Sequence, residues 1–455
     1  MSKKKIFNID NLIFVTCILF YISWFFADGV TFSNDSWGYI HAIPSREPLY
    51  PTYLFLFRRI FSKNIYLKAA SLAQCILAAI ATFKFSITVE RKWSLKKIPT
   101  LIIVAMQLGV VLLCRFVANR HAAYCNEICS EGLAIPLFVL FITEILMYTW
   151  KKNTGALILS SFYAVCLICV RKQMYIVIPI MILVFIIQFF RKDIGCKRLL
   201  GNLGIVLLVF LVSVGADIFY NYCVRGVATR HTTDSSAAVI TLVYASGTED
   251  AGYFENKEIR TLYTDIMQEV EKNGYNYKYA SGNWLNRYNH YSDHYDLISY
   301  GILNKAFYDY IEHTSGASGL LKEQAFDDLN RVFIDTLLPA NWKRAVGVIT
   351  DNIMAGICNT ISKADNRLTW YNMLFVLIYL GLLVYMGVQK KEKAFWLGTV
   401  ILISTAMNVA AVGVMIFAQT RYMIYNMPFV YIAMYLMLRE MYFIWKDKAK
   451  RRTHA

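Results

Sequence analysis

Residues 174–190 read Met174-Tyr-Ile-Val-Ile-Pro-Ile-Met-Ile-Leu-Val-Phe-Ile-Ile-Gln-Phe-Phe190, an uncharged run bracketed by Arg171-Lys172 and Arg191-Lys192. At 1.5 Å per helical residue, a run of this length covers most of the roughly 30 Å of hydrocarbon in a bilayer. Working outward, comparable runs precede it at 153–170, 132–150 (interrupted by Glu144), 98–114, 69–83 and 11–27. Others follow at 199–216, 368–389, 394–420 and 422–438. The pattern predicts an all-α polytopic membrane protein with about ten transmembrane helices. Composition points the same way. The chain is 57% hydrophobic and only 17% charged, whereas soluble domains sit near 45–50% and 25%.

The net charge of +16 would suit a nucleic-acid binder, but its placement argues against one. With the N-terminal Lys3–Lys5 cluster in the cytoplasm, the same side collects Arg91 to Lys97, Lys151-Lys152, Arg191 to Arg198, Lys390 to Lys393 and the tail from Arg439 to Arg452. This is the positive-inside pattern, and it predicts both termini in the cytoplasm of a multi-pass plasma-membrane protein. Nucleic acid is therefore not an expected partner; the lipid bilayer is. The first span follows a lysine cluster as a signal peptide would, but no small-residue cleavage site follows it, so it reads as an anchor. Most cysteines, such as Cys17, Cys75, Cys114, Cys166 and Cys169, fall inside spans and read as small apolar residues. Cys125 and Cys129 share a loop, at a helical spacing that suits a disulfide poorly.

Three regions divide the chain. Residues 1–220 form an N-terminal transmembrane module of about seven spans with polar outer loops. Residues 221–368 carry 14 basic against 18 acidic side chains and read as a mostly helical extracytoplasmic domain, with helix-like periodicity at 255–273 and 320–338. Residues 369–455 supply about three more spans and a basic cytoplasmic tail. The segment 275–310 is dense in tyrosine, which predicts a packed aromatic core and interface, or ring faces for sugar stacking. His290-Tyr-Ser-Asp293-His294 has ligand types at helical spacing, but no further ligand pattern accompanies it. No phosphate-binding P-loop, dinucleotide fingerprint or nucleophile elbow is present.

The outer loops hold the candidate chemistry. The first, about 28–66, contains Asp35 and Tyr39, then Arg46-Glu47-Pro48-Leu49-Tyr50-Pro51. Its apolar piece from Pro48 to Phe57 is too short to span and predicts an interfacial or re-entrant helix ending at Arg58 and Arg59. A carboxylate such as Asp35 just past a span can take a proton from a hydroxyl nucleophile. Asp28 is the first polar residue of that loop and reads as a silent neighbour. In the second loop Glu127 and Glu131 stand four apart, sharing a face if helical. Arg171 and Arg421 stand at further outer span ends, where a guanidinium fork suits a phosphate. Glu144 lies inside the fourth span, where an acid is functional by default; Lys84 reads as snorkelling to the surface.

In order and sidedness these positions resemble the membrane glycosyltransferases of the GT-C fold, in the branch of bacterial protein O-mannosyltransferases and aminoarabinose transferases. The resemblance rests on Asp35 followed by Tyr39, the Glu47-Pro48-Leu49-Tyr50-Pro51 element, Ser130-Glu131 opening the fourth span, Arg171 after the fifth, and Arg421-Tyr422 before the last. It covers the transmembrane frame; 221–368 matches no part of it. The resemblance implies an inverting transfer of a sugar from a polyprenyl-phosphate donor to a glycan, lipid or protein acceptor. Asp35 would be the base, with Glu131 or Glu127 as the second acid. Tyr39, Arg46, Arg58, Arg59, Arg171, Arg421 and Tyr422 would bind the substrates. No cofactor is implied; some branches use a divalent metal, and no ligand set here compels one. The chain departs from the family where Glu47 replaces the first of two prolines. A polysaccharide polymerase or ligase, or a transporter of lipid-linked substrates, shares the polytopic plan and is the alternative.

Overall fold

The computed structural model describes residues 9–116, 122–232 and 236–453; Lys3–Lys5 lie outside them. The protein is an all-α polytopic membrane protein. Among the described residues no strand forms, and the single isolated β-bridge pairs Thr31 with Glu127. All ten predicted segments are helical. Among the described residues nine helices are long and apolar enough to cross a membrane. The tenth, Thr154–Val170, has 17 residues. It is cut short at both ends: Lys152 adopts the left-handed conformation and Asn153 caps the Gly155 amide at 2.9 Å, while Arg171 turns the backbone extended.

The described residues form two compact units. The first comprises 1–229, 373–408 and 424–455; the second comprises 230–372 and 409–423. The boundary falls after 221 because the helix Cys196–Arg225 continues through it unbroken.

In the first unit the helices are α1 (Ile9–Asp28), α2 (Ser36–Ile40), α3 (Leu49–Ile60), α4 (Tyr66–Trp93), α5 (Lys97–Cys114), α6 (Glu131–Lys151), α7 (Thr154–Val170), α8 (Val177–Phe190) and α9 (Cys196–Arg225). Every residue of α6 from Glu131 to Leu146 is buried, which makes it the central helix. It meets α4 closely at Gly132, where any Cβ would come within 2.6 Å of the Gln74 side chain. In lipid, close approach of small residues replaces the hydrophobic drive that packs helices in water. By contrast α9 buries only one stripe, which includes Asn202, Ser213, Asp217 and Asn221. Its Leu207, Leu208, Leu211 and Phe219 point outward. Polar residues inside and leucines outside suit a helix facing hydrocarbon. The short α3 buries Tyr50, Pro51 and Leu54 and exposes Phe55, Leu56 and Ile60.

The second unit holds α10 (Ser236–Ala245), α11 (Lys257–Lys272), α12 (Trp284–Asp296), α13 (Asn304–Ser315) and α14 (Gly319–Ile361). Asn256 caps α11 by accepting from Glu258 and Ile259 amides at 2.8 and 3.2 Å. The expected helix at 320–338 continues to Ile361 through Pro339. The core is aromatic: Phe333 is fully buried among Phe254, Tyr263 and Phe307, with ring centroids 5.1, 5.9 and 4.8 Å away. Truncating such a ring costs about 3–5 kcal/mol. Tyr288, Tyr291 and Tyr295 join this core, whereas Tyr279 and Tyr300 are exposed. The remaining helices are α15 (Thr369–Val388), α16 (Glu392–Met415), α17 (Thr420–Met423) and α18 (Met427–Thr453). Pro428 sits in the first turn of α18, where no intrahelical bond is lost.

Candidate functional site

Two loops of the first unit are stitched together by backbone. The Thr31 amide donates to the Asn126 carbonyl at 3.0 Å, and the Ile128 amide donates to the Thr31 carbonyl at 2.9 Å. That bridge sets Asp35, which precedes α2, on the same side as Glu131, which opens α6.

From Asp35 a chain of contacts runs through three loops. Arg46 donates to the Asp35 carboxylate at 2.8 Å and lies over the Tyr39 ring at 4.7 Å. The approach needs Gly38, where a Cβ would come within 2.8 Å of Arg46 Nε. The Tyr39 hydroxyl donates to Ser130 Oγ at 2.9 Å, and Arg171 donates to the same oxygen at 3.0 Å. Arg171 also reaches Glu131 at 2.9 Å and Gln173 at 3.1 Å. Burial, with Cys129 and Glu47 nearby, pushes the Tyr39 hydroxyl far above its usual pKa, so it stays a donor.

The carboxylates differ in what they can do. The Glu131 side chain is 1% exposed and enclosed by Arg171, by Cys129 Sγ at 2.6 Å and by the first turn of α6. The Asp35 side chain is 32% exposed, so of these two ion-paired carboxylates it is the one that meets solvent. Glu127 is buried in the bridge, with its carbonyl accepting from Gln74 at 3.2 Å.

Glu47, whose part sequence reasoning did not see, is buried and accepts from the Lys172 amide at 2.7 Å. That contact gives the acid a use here: the turn after α7 presents a backbone donor that a side chain without an acceptor could not satisfy. Gln74 was also missed. It accepts from the Tyr50 hydroxyl at 2.7 Å and donates to the Cys125 carbonyl at 2.9 Å, pinning α3 and the second loop to α4.

Arg58 and Arg59 stand exposed at the end of α3, with Arg59 over the Phe55 ring at 4.8 Å. Arg421 lies over Tyr422 at 5.8 Å, and both belong to the second unit. Comparison of the chain with protein-family models, with curated proteins and with solved structures finds no match.

Two sequence readings change. Asp28 is no silent neighbour: Arg115 grips both its oxygens at 2.6 and 2.8 Å while stacking on Trp24 at 4.0 Å. Lys84 does not merely snorkel; its ammonium meets Glu144 at 2.5 Å, so the acid inside α6 has a cation beside it. His290 and His294 are engaged in packing: His290 bonds the Tyr244 hydroxyl at 2.9 Å, and His294 stacks on Tyr275 at 4.7 Å. Among the described residues no three His, Cys, Asp or Glu side chains are placed to hold a metal together.

Proposed function

We propose that the protein is an integral membrane glycosyltransferase that moves a sugar from a polyprenyl-phosphate donor to an acceptor on the extracytoplasmic face, with inversion and with Asp35 as base. The observation that carries this reading is the solvent-reaching Asp35 carboxylate, held at 2.8 Å by Arg46 in a rigid polar network at the mouth of the helix bundle. In the reaction the acceptor oxygen attacks the anomeric carbon as the sugar–phosphate bond breaks. The acceptor proton passes to Asp35, and the bonding electrons leave with the polyprenyl phosphate. Arginine forks stabilise the charge that grows on that phosphate. Glu131, enclosed by its own ion pair, acts as a positioning residue that holds Arg171 and, through Ser130, Tyr39. Glu144, the acid that most nearly approaches a transporter's midplane carboxylate, is matched by Lys84.

Asp35→Asn keeps the shape and removes the basicity. The expected result is normal membrane insertion with transfer slowed at least about a hundredfold, the usual size of a general-base contribution. Mass spectrometry of lipid-linked sugars and envelope glycans in cells carrying the variant should find the donor accumulating and its product depleted. Unchanged product in Asp35→Asn cells refutes the assignment of the base.

A further inference from the structure

The far end of the helices that carry the Asp35–Arg171 network holds a ring of charges that sugar transfer does not use. From Glu131 in that network, α6 runs to Lys151, about 30 Å away at 1.5 Å per residue. There α4 ends beside it. The Trp93 and Trp150 rings meet edge to face at 5.4 Å, and the Lys92 ammonium lies over the Trp150 ring at 5.3 Å. From Lys152 an ion-pair chain continues to the start of α16. Lys152 reaches Asp193 at 3.6 Å, Arg191 reaches the same carboxylate at 3.9 Å, and Arg191 reaches Glu392 at 2.6 Å. The tryptophan contact and the ion-pair chain draw the ends of α4, α6 and α16 together, and with them Lys92, Lys151 and Lys393.

The acids nearby are already engaged. Asp10 holds Arg91 at 2.6 Å, Asp193 and Glu392 belong to the chain of ion pairs, and Glu90 stands beside Asp10 and Arg91. Among the described residues no carboxylate comes within ion-pair distance of Lys92, Lys151 or Lys393. The charges that bear on Lys92 are those of Lys393 and Lys151, both of its own sign. Lys92 is half-buried, whereas Lys151 and Lys393 are exposed. Lys92 and Lys151 each suit the C-terminal end of their own helix, but Lys393 stands in the first turn of α16, where the helix dipole favours an anion. Helix ends alone therefore do not explain the set. Three ammoniums and a helix N-terminus repel one another until a negative charge sits among them.

We propose that Lys92, Lys151 and Lys393 form a docking surface for the phosphate of an anionic phospholipid in the leaflet at that end of the helices. The lysines flank tryptophans at the ends of membrane-crossing helices, and tryptophan sits at the headgroup level of a bilayer. Basic clusters between span ends bind anionic headgroups by this charge complementarity. A lipid phosphate is held at that depth by its own acyl chains, whereas a dissolved phosphate must leave water to reach it. Such binding requires no transfer reaction, so its measurement is separate from the test of Asp35.

The test is thermal denaturation of the full-length, detergent-purified protein, titrated with dioleoylphosphatidylglycerol or dioleoylphosphatidylcholine in mixed micelles, or with inorganic phosphate. A ligand that binds only the folded state raises the melting temperature in a saturable way. The expected result is a saturable rise with phosphatidylglycerol, a smaller one or none with phosphatidylcholine, and none with inorganic phosphate. A lysine near an anionic surface contributes about fivefold in affinity. Lys151→Gln or Lys393→Gln should therefore raise the half-saturating phosphatidylglycerol about fivefold, and the two together about 25-fold. Half-saturation is read against each variant's own lipid-free value, so a change in basal stability does not enter it. Lys97→Gln removes an exposed lysine at the same end that does not bear on Lys92, and should leave half-saturation unchanged. An equal rise with phosphatidylcholine, a rise with inorganic phosphate, wild-type half-saturation in both lysine variants, or an equal loss in Lys97→Gln overturns the proposal.

Discussion

Removing one partner of the Glu131–Arg171 pair should cost more than removing both. The Glu131 side chain is 1% exposed and the Arg171 side chain 14%, so the pair is held out of water. Breaking such a pair leaves an uncompensated buried charge, at a cost of about 3–5 kcal/mol. In Arg171→Met, Glu131 keeps weak donors such as the Cys129 thiol at 2.6 Å and the Ser130 hydroxyl at 3.4 Å but no longer the Arg171 charge, so the cost should lie near the top of that range. In Glu131→Gln, Arg171 keeps Ser130 and Gln173 and somewhat more solvent, so the cost should be nearer the bottom. Replacing both removes both stranded charges, and the double variant should be less destabilised than Arg171→Met alone. Arg171→Lys keeps the charge but cannot reach Ser130, Glu131 and Gln173 at once, and should fall between wild type and Arg171→Met. Equilibrium unfolding in mixed micelles, arranged as a double-mutant cycle, measures the coupling directly. Additive single-variant effects, or a cost below about 0.5 kcal/mol for Arg171→Met, would refute the view that this pair clamps the end of α7 to the start of α6.

Asp28→Asn should lower the melting temperature clearly, because it removes the acid that Arg115 grips with two bonds while stacked on Trp24; behaviour identical to wild type would mean that this pair carries no stability. The exposed Cys196 and Cys223 stand near opposite ends of α9, roughly 40 Å apart along a straight helix. With the N-terminus inside, a membrane-impermeant maleimide applied to intact cells should modify Cys223 and spare Cys196, and the reverse pattern would invert the topology. Burial and the neighbouring His294 lower the His290 pKa below 6.5. Above pH 6.5 both folded and unfolded states hold it neutral and its contribution is complete; below that, the unfolded chain takes the proton first and stability falls until the folded pKa is passed. The melting temperature of His290→Gln should therefore decline less between pH 7 and pH 5.5 than that of the wild type, and parallel curves would remove His290 as the cause.

The transmembrane frame was legible because the length of an uncharged run is a local property, written in consecutive residues such as 174–190. The members of the polar cluster were legible one at a time. Asp35, Tyr39, Glu131 and Arg171 each stand beside a span end, and their types suit phosphate and proton chemistry. Their connection was not legible. Arg46 reaches Asp35 across 11 residues, but Arg171 reaches Ser130 across 41 and Lys172 reaches Glu47 across 125; such pairings follow from helix packing that no local pattern encodes. For the same reason Asp28 looked idle and Lys84 looked like a headgroup anchor, since their partners Arg115 and Glu144 come from other helices. In the second unit Pro339 reads as a helix end, yet α14 runs through it, supported by tertiary burial of Leu337, Asn341 and Ala345. The convergence of Lys92, Lys151 and Lys393 needed side-chain positions, because only they separate a cation with an acid beside it from one without.

The bond from the Lys172 amide to Glu47 also has a meaning in time. A ribosome adding about 5–20 residues per second makes Lys172 roughly 6–25 seconds after Glu47. In that interval α3 to α7 are made while Glu47 waits without the backbone donor it will bury against, and Glu131, once made, waits without its arginine. The nascent chain thus passes through a stage in which four spans exist and the polar cluster does not. Until Lys172 and Arg171 are made, Glu47 and Glu131 lack partners they are buried against, so the polar cluster is complete only after α7.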